Sequence, residues 1–467
     1  MKAPAQFAFP RVMLDRREAL RAGVCAAFWR AGRAAATQAD SAPKAADGFW
    51  LLESGPAQAQ LQGAPAPATQ VLGYNSRTPG PPLRLRLGET LKVRLANGLK
   101  EPTTLSWPGL RMANAAAGIG GLTQTALAPG ARGDISFTPP DAGFNLYRPH
   151  AGAATPGQVG RGLYGPIIVD EASPPEVDRD LVAVLSDWRL DGDRQLKDDF
   201  ADPGSTRGAG ALGALVSANG AAAPLVETLA PGARVRLRLA NAANARIMAI
   251  AIEGVKPQII AIDGQPCELF APLQNWFPMG PGARFELMFD MPREAGAVRF
   301  ILKGALPGEA DRAVIVLKGE GDAAPQRPAF EGLPANPHLP GEIDLARATH
   351  VDLTIAGGGA GPFTLNGGIN PDWPVKPLFS VARRAPVTLG FVNKTPYAQA
   401  MRLHGHCMRL LHARDDGWEP YWRDIALLGP GQTVHAAFVA DNSGKWPLES
   451  AIPEHQAAGL MSWFEVA

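Results

Sequence analysis

Cysteine is nearly absent from this chain of 467 residues: only Cys25, Cys267 and Cys407 occur. Three thiols so far apart build neither a disulfide framework nor a zinc site. They leave the redox compartment undecided, and free cysteines of this kind usually pack as small buried hydrophobes. None lies beyond Cys407, so the end of the chain has no thiolate to offer a metal. An excess of charge is missing as well. Lys and Arg total 45 against 44 Asp and Glu, a net charge of +1, which leaves no electrostatic case for a nucleic-acid partner. No apolar run reaches the ~18 residues of a spanning helix, so no transmembrane segment is expected. No glycine-rich phosphate loop opens a helix and no G-x-S-x-G elbow occurs, so an independent enzyme site is not visible.

Turn chemistry, by contrast, abounds. Gly 52 and Pro 44 separate short Val/Leu/Ile/Phe runs, and 46% of residues are hydrophobic. That pattern predicts a soluble, all-β chain of sandwiches, about three of them at this length. Two internal repeats agree. Strands ending in Asn recur at Leu91–Asn97, Val235–Asn241 and Val387–Asn393. Their apolar/polar alternation fits half-buried strands, and the Asn fits the turn that closes each one. A Pro-Gly turn followed by a strand with Phe eight positions after the Pro recurs at Pro129–Phe137, Pro281–Phe289 and Pro430–Phe438. Two patterns sharing a period of about 150 residues predict three homologous domains. Composition sets the expected boundaries: a leader over 1–46, domains over 47–173, 174–318 and 347–467, and a Pro/Gly/Ala-rich linker over 319–346.

The leader carries Asp15-Arg16-Arg17-Glu18-Ala19-Leu20-Arg21, a short apolar stretch from Ala22 to Trp29, and small residues at Ala34-Ala35-Ala36. It resembles a twin-arginine export signal with Ala19 where Phe is preferred and Arg30 and Arg33 crowding its apolar core. The expectation is export to the periplasm, or a cytoplasmic protein if the leader is vestigial.

Four further segments carry a family resemblance. Trp446-Pro-Leu-Glu449-Ser450-Ala451-Ile-Pro-Glu-His455-Gln-Ala-Ala-Gly459-Leu460-Met461 resembles the closing W-x-x-H-C-H-x-x-E-H-x-x-x-G-M motif of multicopper oxidases. Thr104-Leu-Ser106-Trp107-Pro108-Gly109 resembles their H-W-H-G segment, and Tyr147-Arg148-Pro149-His150 their Y-H-P-H. Gln399-Ala-Met-Arg402-Leu-His404-Gly405-His406 resembles H-P-x-H-L-H-G-H. The resemblance runs from near Asp47 to Ala467 and implies three cupredoxin-like Greek-key sandwich domains.

It also implies a changed metal chemistry. The family's cysteine ligand falls on Ser450 and its axial Met on Leu460. A blue copper site needs a thiolate with two imidazoles, so none is expected. Asn114-Ala-Ala-Ala117-Gly118 stands where the family has N-A-x-D-G, without its acid. Of the family's histidine ligands, His150, His404 and His455 remain. His150, His404 and Glu449 map to the ligands of one family copper, and two imidazoles with a carboxylate also suit iron or zinc. Arg148 and Arg402 fall on neighbouring ligand positions; a guanidinium is always charged and cannot ligate. The leading expectation is therefore a salt-bridged plug of Arg148, Arg402 and Glu449 with no cofactor, in a periplasmic structural or interaction protein with an unidentified protein partner. It is similar to the copper-free, twin-arginine-exported cell-division member of the family. The alternative is a metal-dependent oxidoreductase using copper or another single metal ion. His338, His350, His412 and His435 are read as ordinary surface or core residues, and Met401 and Met408 as packing.

Replacing Arg16 and Arg17 together by Lys tests the leader. If the guanidinium pair is read by the export machinery, cell fractionation should move the protein from periplasm to cytoplasm; unchanged fractionation would mark the leader as vestigial.

Overall fold

The computed structural model describes residues 41–467 except 64, 295, 307, 413–418 and 420. The twin-arginine-like residues and Cys25 lie outside the described residues. Six β-sheets follow one another along the chain as three pairs, like the cupredoxin domains of multicopper oxidases. Helices among the described residues are short, as at Thr155–Gly160 and Pro453–Ala457. Between the strands Arg312–Gly319 and Thr349–Gly358 the chain forms only a 3-10 turn at Leu345–Arg347.

The two sequence repeats turn out to be one structural repeat. In each unit the strand that ends in Asn pairs antiparallel with the strand that carries the Phe. The register is the same three times: Leu91 opposes Phe137, Val235 opposes Phe289 and Val387 opposes Phe438. Each of these strands also pairs in parallel with the opening strand of its unit, at Trp50–Ala59, Arg179–Trp188 and Thr349–Gly358. The closing Asn does the same work each time. Its amide donates to the carbonyl two residues before the Pro-Gly turn: Asn97 to Leu127, Asn241 to Met279, Asn393 to Leu428. Its side-chain oxygen accepts the N–H two residues on, from Leu99, Ala243 and Thr395. A buried amide fully engaged in this way fixes where the strand stops and the turn begins.

The first and third units share one apolar core. Trp107, Tyr147 and Leu105 of the first lie in the same cluster as Met401, Trp446 and Phe464 of the third. The middle unit has its own core, which reaches Ala400, Ile425 and Ala451 of the third. Ions join the first and middle units. Arg84 bonds Asp170 and Asp180; Arg238 bonds Asp180 and Glu286; Arg236 bonds Glu286 and Glu171. Arg236, Arg238 and Glu286 are nearly dry, so each depends on its partners.

Burial opposes ionisation of Asp180, but the charge and hydrogen bonds of Arg238 and the charge of Arg84 outweigh it and hold its carboxyl at about 2. The folded value lies below the unfolded one, so its contribution is fully present above about pH 4 and is lost as pH falls through about 2. At roughly 1.4 kcal/mol per pKa unit this amounts to about 2 kcal/mol. Urea melts of Asp180→Asn should show that loss at neutral pH, and the difference from the unsubstituted protein should vanish below about pH 2.

Candidate metal centre

Strand pairing brings the motif segments together at the junction of the units. Ser106 and Arg148 form a bridge of two backbone hydrogen bonds, at 2.8 and 3.1 Å. The Ser106 hydroxyl donates to the Arg148 carbonyl as well. In the third unit, Gln399–Leu403 pairs antiparallel with Gly444–Ser450, setting Met401 against Ser450 and Arg402 against Glu449. Cross-strand partners share a face of the sheet, so Arg402 and Glu449 project toward the first unit together.

Glu449 meets two imidazoles there. His150 Nε2 lies 2.9 Å from Glu449 Oε1 and 3.1 Å from Oε2, and His404 Nε2 lies 3.0 Å from Oε1. One ligand atom from each of the three lies within 4.8 Å of the others. His150, His404 and Glu449 are 2%, 5% and 1% exposed, so bulk water is excluded. Trp373 stacks on His150 at 5.8 Å and donates to the Gly120 carbonyl. Burial opposes ionisation of Glu449, but the charge of His150 and hydrogen bonds to both imidazoles hold its carboxyl well below the usual range. Burial pushes His404 down, against the pull of Glu449.

The expected plug is corrected by this geometry. Glu449 is hydrogen-bonded to the two histidines, not to arginine. Arg402 instead donates from Nε to Asp424 at 3.2 Å. Its guanidinium lies over Gly282, where a Cβ would come within 2.0 Å of Nη2. Arg148 makes no side-chain hydrogen bond among the described residues, and its Nε is buried without a partner. The side chains meet in the expected cavity, but the imidazoles reach the carboxylate first.

His455 stands apart from these three. Its Nδ1 is 3.2 Å from the Gln399 side-chain oxygen and its Nε2 is 3.1 Å from the Gly208 carbonyl. Burial pushes it down to about 3, so the ring is neutral at pH 7. The Ser450 N–H donates to the Leu460 carbonyl and the Ser450 hydroxyl accepts from Ile452 N–H. Gln399, Ser450, His455 and Leu460 therefore do gather, and no thiolate is among them. Cys407 packs in a separate apolar cluster with Trp422 and Leu411. His406 is buried and pushed down to about 4; its Nδ1 lies 3.2 Å from the His404 carbonyl and its Nε2 takes the Asn442 N–H.

One residue that sequence reasoning did not single out ties the site to all three units. Arg284 Nη1 donates to Asp424 at 2.8 Å and to the Gly282 carbonyl at 2.9 Å. Its Nη2 donates to Asn145 at 2.9 Å and to the Asp263 carbonyl at 2.8 Å. Asp424, which Arg402 and Arg284 share, was missed as well. A buried arginine demands an acid somewhere, but nothing local in sequence says which one.

Residues 57–174 and 342–467 match family models described as multicopper oxidase. Lac15, from a marine microbial metagenome, is 31% identical, covers 89% of this chain and 99% of its own, and superposes with a TM-score of 0.74. This chain belongs to the multicopper oxidase family. A multicopper oxidase from Pseudomonas thermotolerans gives a TM-score of 0.79 at 29% identity, covering 91% of this chain and all of that one. The multicopper oxidase MmcO of Mycobacterium tuberculosis is 28% identical over 97% of each chain. For a multicopper oxidase family member the donor sets differ in what they can hold. Gln399, Ser450, His455 and Leu460 lack the thiolate of a blue copper centre and do not fit one. His150, His404 and Glu449 fit a single divalent ion. Their ligand atoms, one from each residue and all within 4.8 Å of one another, would hold such an ion.

Gly109 explains a glycine of the first motif. It has φ +85°, and a Cβ there would lie 1.9 Å from Arg284 Nη2. Gly109→Ala should destabilise by about 2–4 kcal/mol, from left-handed strain and the disturbed Arg284 bonds. Gly48→Ala, at φ +82° with open space around it, should lose only the strain contribution. Equal urea midpoints for the two variants would remove the close-approach account.

Proposed function

We propose that this chain is a metal-binding member of the multicopper oxidase family in which His150, His404 and Glu449 hold one ion and no blue copper relay operates. The observation that carries this reading is the convergence of two imidazole nitrogens and an ionised carboxylate within 4.8 Å, in a water-excluded interior. Such a set suits non-haem iron and some zinc sites. A bound ion would supply Lewis acidity or a redox centre. The chain's own residues do the rest. Glu449 brings the negative charge that offsets a divalent ion, and the two histidines come from different units, so the ion would lock the first to the third. Trp373 covers one face of His150. The reaction class this supports is metal-dependent oxidoreduction of a small substrate.

A second reading is favoured by one specific feature. His455 lies between the Gln399 side chain and the Gly208 carbonyl, and Glu449 is held by both imidazoles, so neither needs an ion to be packed in place. In that reading the chain is a copper-free interaction protein of the periplasm, reached by twin-arginine export.

Metal titration by calorimetry, with metal content measured after dialysis, separates the two. The metal reading expects one iron, zinc or copper ion per chain, lost in His404→Ala and in Glu449→Gln while both variants stay folded. Copper-loaded protein should lack the intense blue thiolate band. No stoichiometric ion in the unsubstituted protein would favour the structural reading.

A further inference from the structure

The guanidiniums beside the proposed metal ligands have too few acceptors. Arg402 is 0% exposed, and only its Nε has a partner; Nη1 and Nη2 are buried with none. Asp424, the acid on Nε, is already held by Arg284 at 2.8 Å. Arg148 is 8% exposed, has no ion pair among the described residues, and buries its Nε without a partner.

Both side chains line one cavity. Much of its remaining wall is apolar, from Leu146, Val159 and Ala242, and Gly282 lets Arg402 lie flat against it. The amide of Asn241, also in the wall, is engaged by Arg246, Met279 and Ala243. The cavity is ≈ 10 Å³, room for one water-sized occupant and too little for sulfate or phosphate. Two like charges lining one cavity repel, and an unpaired buried charge is strongly unfavourable. A water there could accept only two of the unsatisfied N–H groups and would bring no charge to Arg148, which has no ion pair among the described residues. A monatomic anion has no fixed acceptor directions, so it can take several of these donors at once, and it offsets one charge.

We propose that Arg148 and Arg402 form a binding site for one small monovalent anion of the halide class, chloride under ordinary conditions. The site adjoins His150, His404 and Glu449 but does not require a metal there. The chain thus places anion-binding donors from two units beside its cluster of metal-ligand type. The anion would brace the first unit against the third.

Two measurements test this on the full chain. Crystals grown in sodium bromide should show an anomalous peak between the Arg148 guanidinium and Arg402 Nη1 and Nη2. A water in that position, or no density, would overturn the proposal. In solution, the melting temperature should rise with chloride or bromide but not with gluconate at the same ionic strength, since only a ligand of the folded state shifts it. Arg148→Met removes a charge that has no protein partner, so it should fold. It should melt higher than the unsubstituted protein in gluconate, and its melting temperature should not respond specifically to halide. An unchanged halide response in Arg148→Met would overturn the proposal. Because metal-free protein is used throughout, failure here is distinct from failure of metal binding, which is read from ion stoichiometry.

Discussion

The arrangement of the three units converges on the Arg284 guanidinium. It is 1% exposed and donates to Asn145 of the first unit, to Asp424 of the third, and to the Gly282 and Asp263 carbonyls of its own. A planar fork of donors suits such a junction, because each N–H points in a fixed direction and each acceptor must come to it. Buried ion pairs of this kind are weak evidence of net stability, since desolvation offsets much of the attraction. They are strong constraints on geometry. Asp263 and Asp424 are both buried and close; burial and the charge of Asp424 raise Asp263 to about 6. Two acids tolerate that proximity because a guanidinium lies against them. Moving any unit away from Arg284 would leave at least one charge or amide dry and unpaired.

The candidate centre inherits its geometry from that junction. Arg284 fixes Asp424, Asp424 takes Arg402 Nε, and Arg402 sits opposite Glu449 in the strand register. Once Arg402 is drawn toward Asp424 and over Gly282, Glu449 is left to the imidazoles. Charge is therefore sorted along a short path. An acid with two histidines occupies one side, a pair of guanidiniums the middle, and the Arg284–Asp424 pair the far side.

Much of the fold was legible because it repeats. The strands ending in Asn97, Asn241 and Asn393 and the Phe137, Phe289 and Phe438 strands were separate patterns in sequence, and they became cross-strand partners in one register. The meeting of His150, His404 and Glu449 was legible through motif position. Their mutual hydrogen bonds were not. Arg402 finds its acid 22 residues away and Arg284 finds the same acid 140 residues away, with no periodicity to announce either contact. Trp373 was equally hidden, because an indole in a Pro-rich loop gives no sign that it will cover a histidine of another unit.

His455 shows why surviving residue types and surviving sites are different things. It is retained from the motif, yet one ring nitrogen lies by the Gln399 side-chain amide and the other by the Gly208 carbonyl, and its ring packs against Phe363 at 4.3 Å. Held neutral by burial, with Gln399 on one side and Gly208 on the other, it behaves as a satisfied core histidine. His404 keeps the same residue type from a neighbouring motif but faces a carboxylate. The difference lies in the partner. An amide and a carbonyl close a position with neutral hydrogen bonds, whereas Glu449 supplies charge that an incoming ion can use. The chemistry of the junction therefore collects around a carboxylate facing two imidazoles, and Gln399, Ser450, His455 and Leu460 pack in the interior beside it.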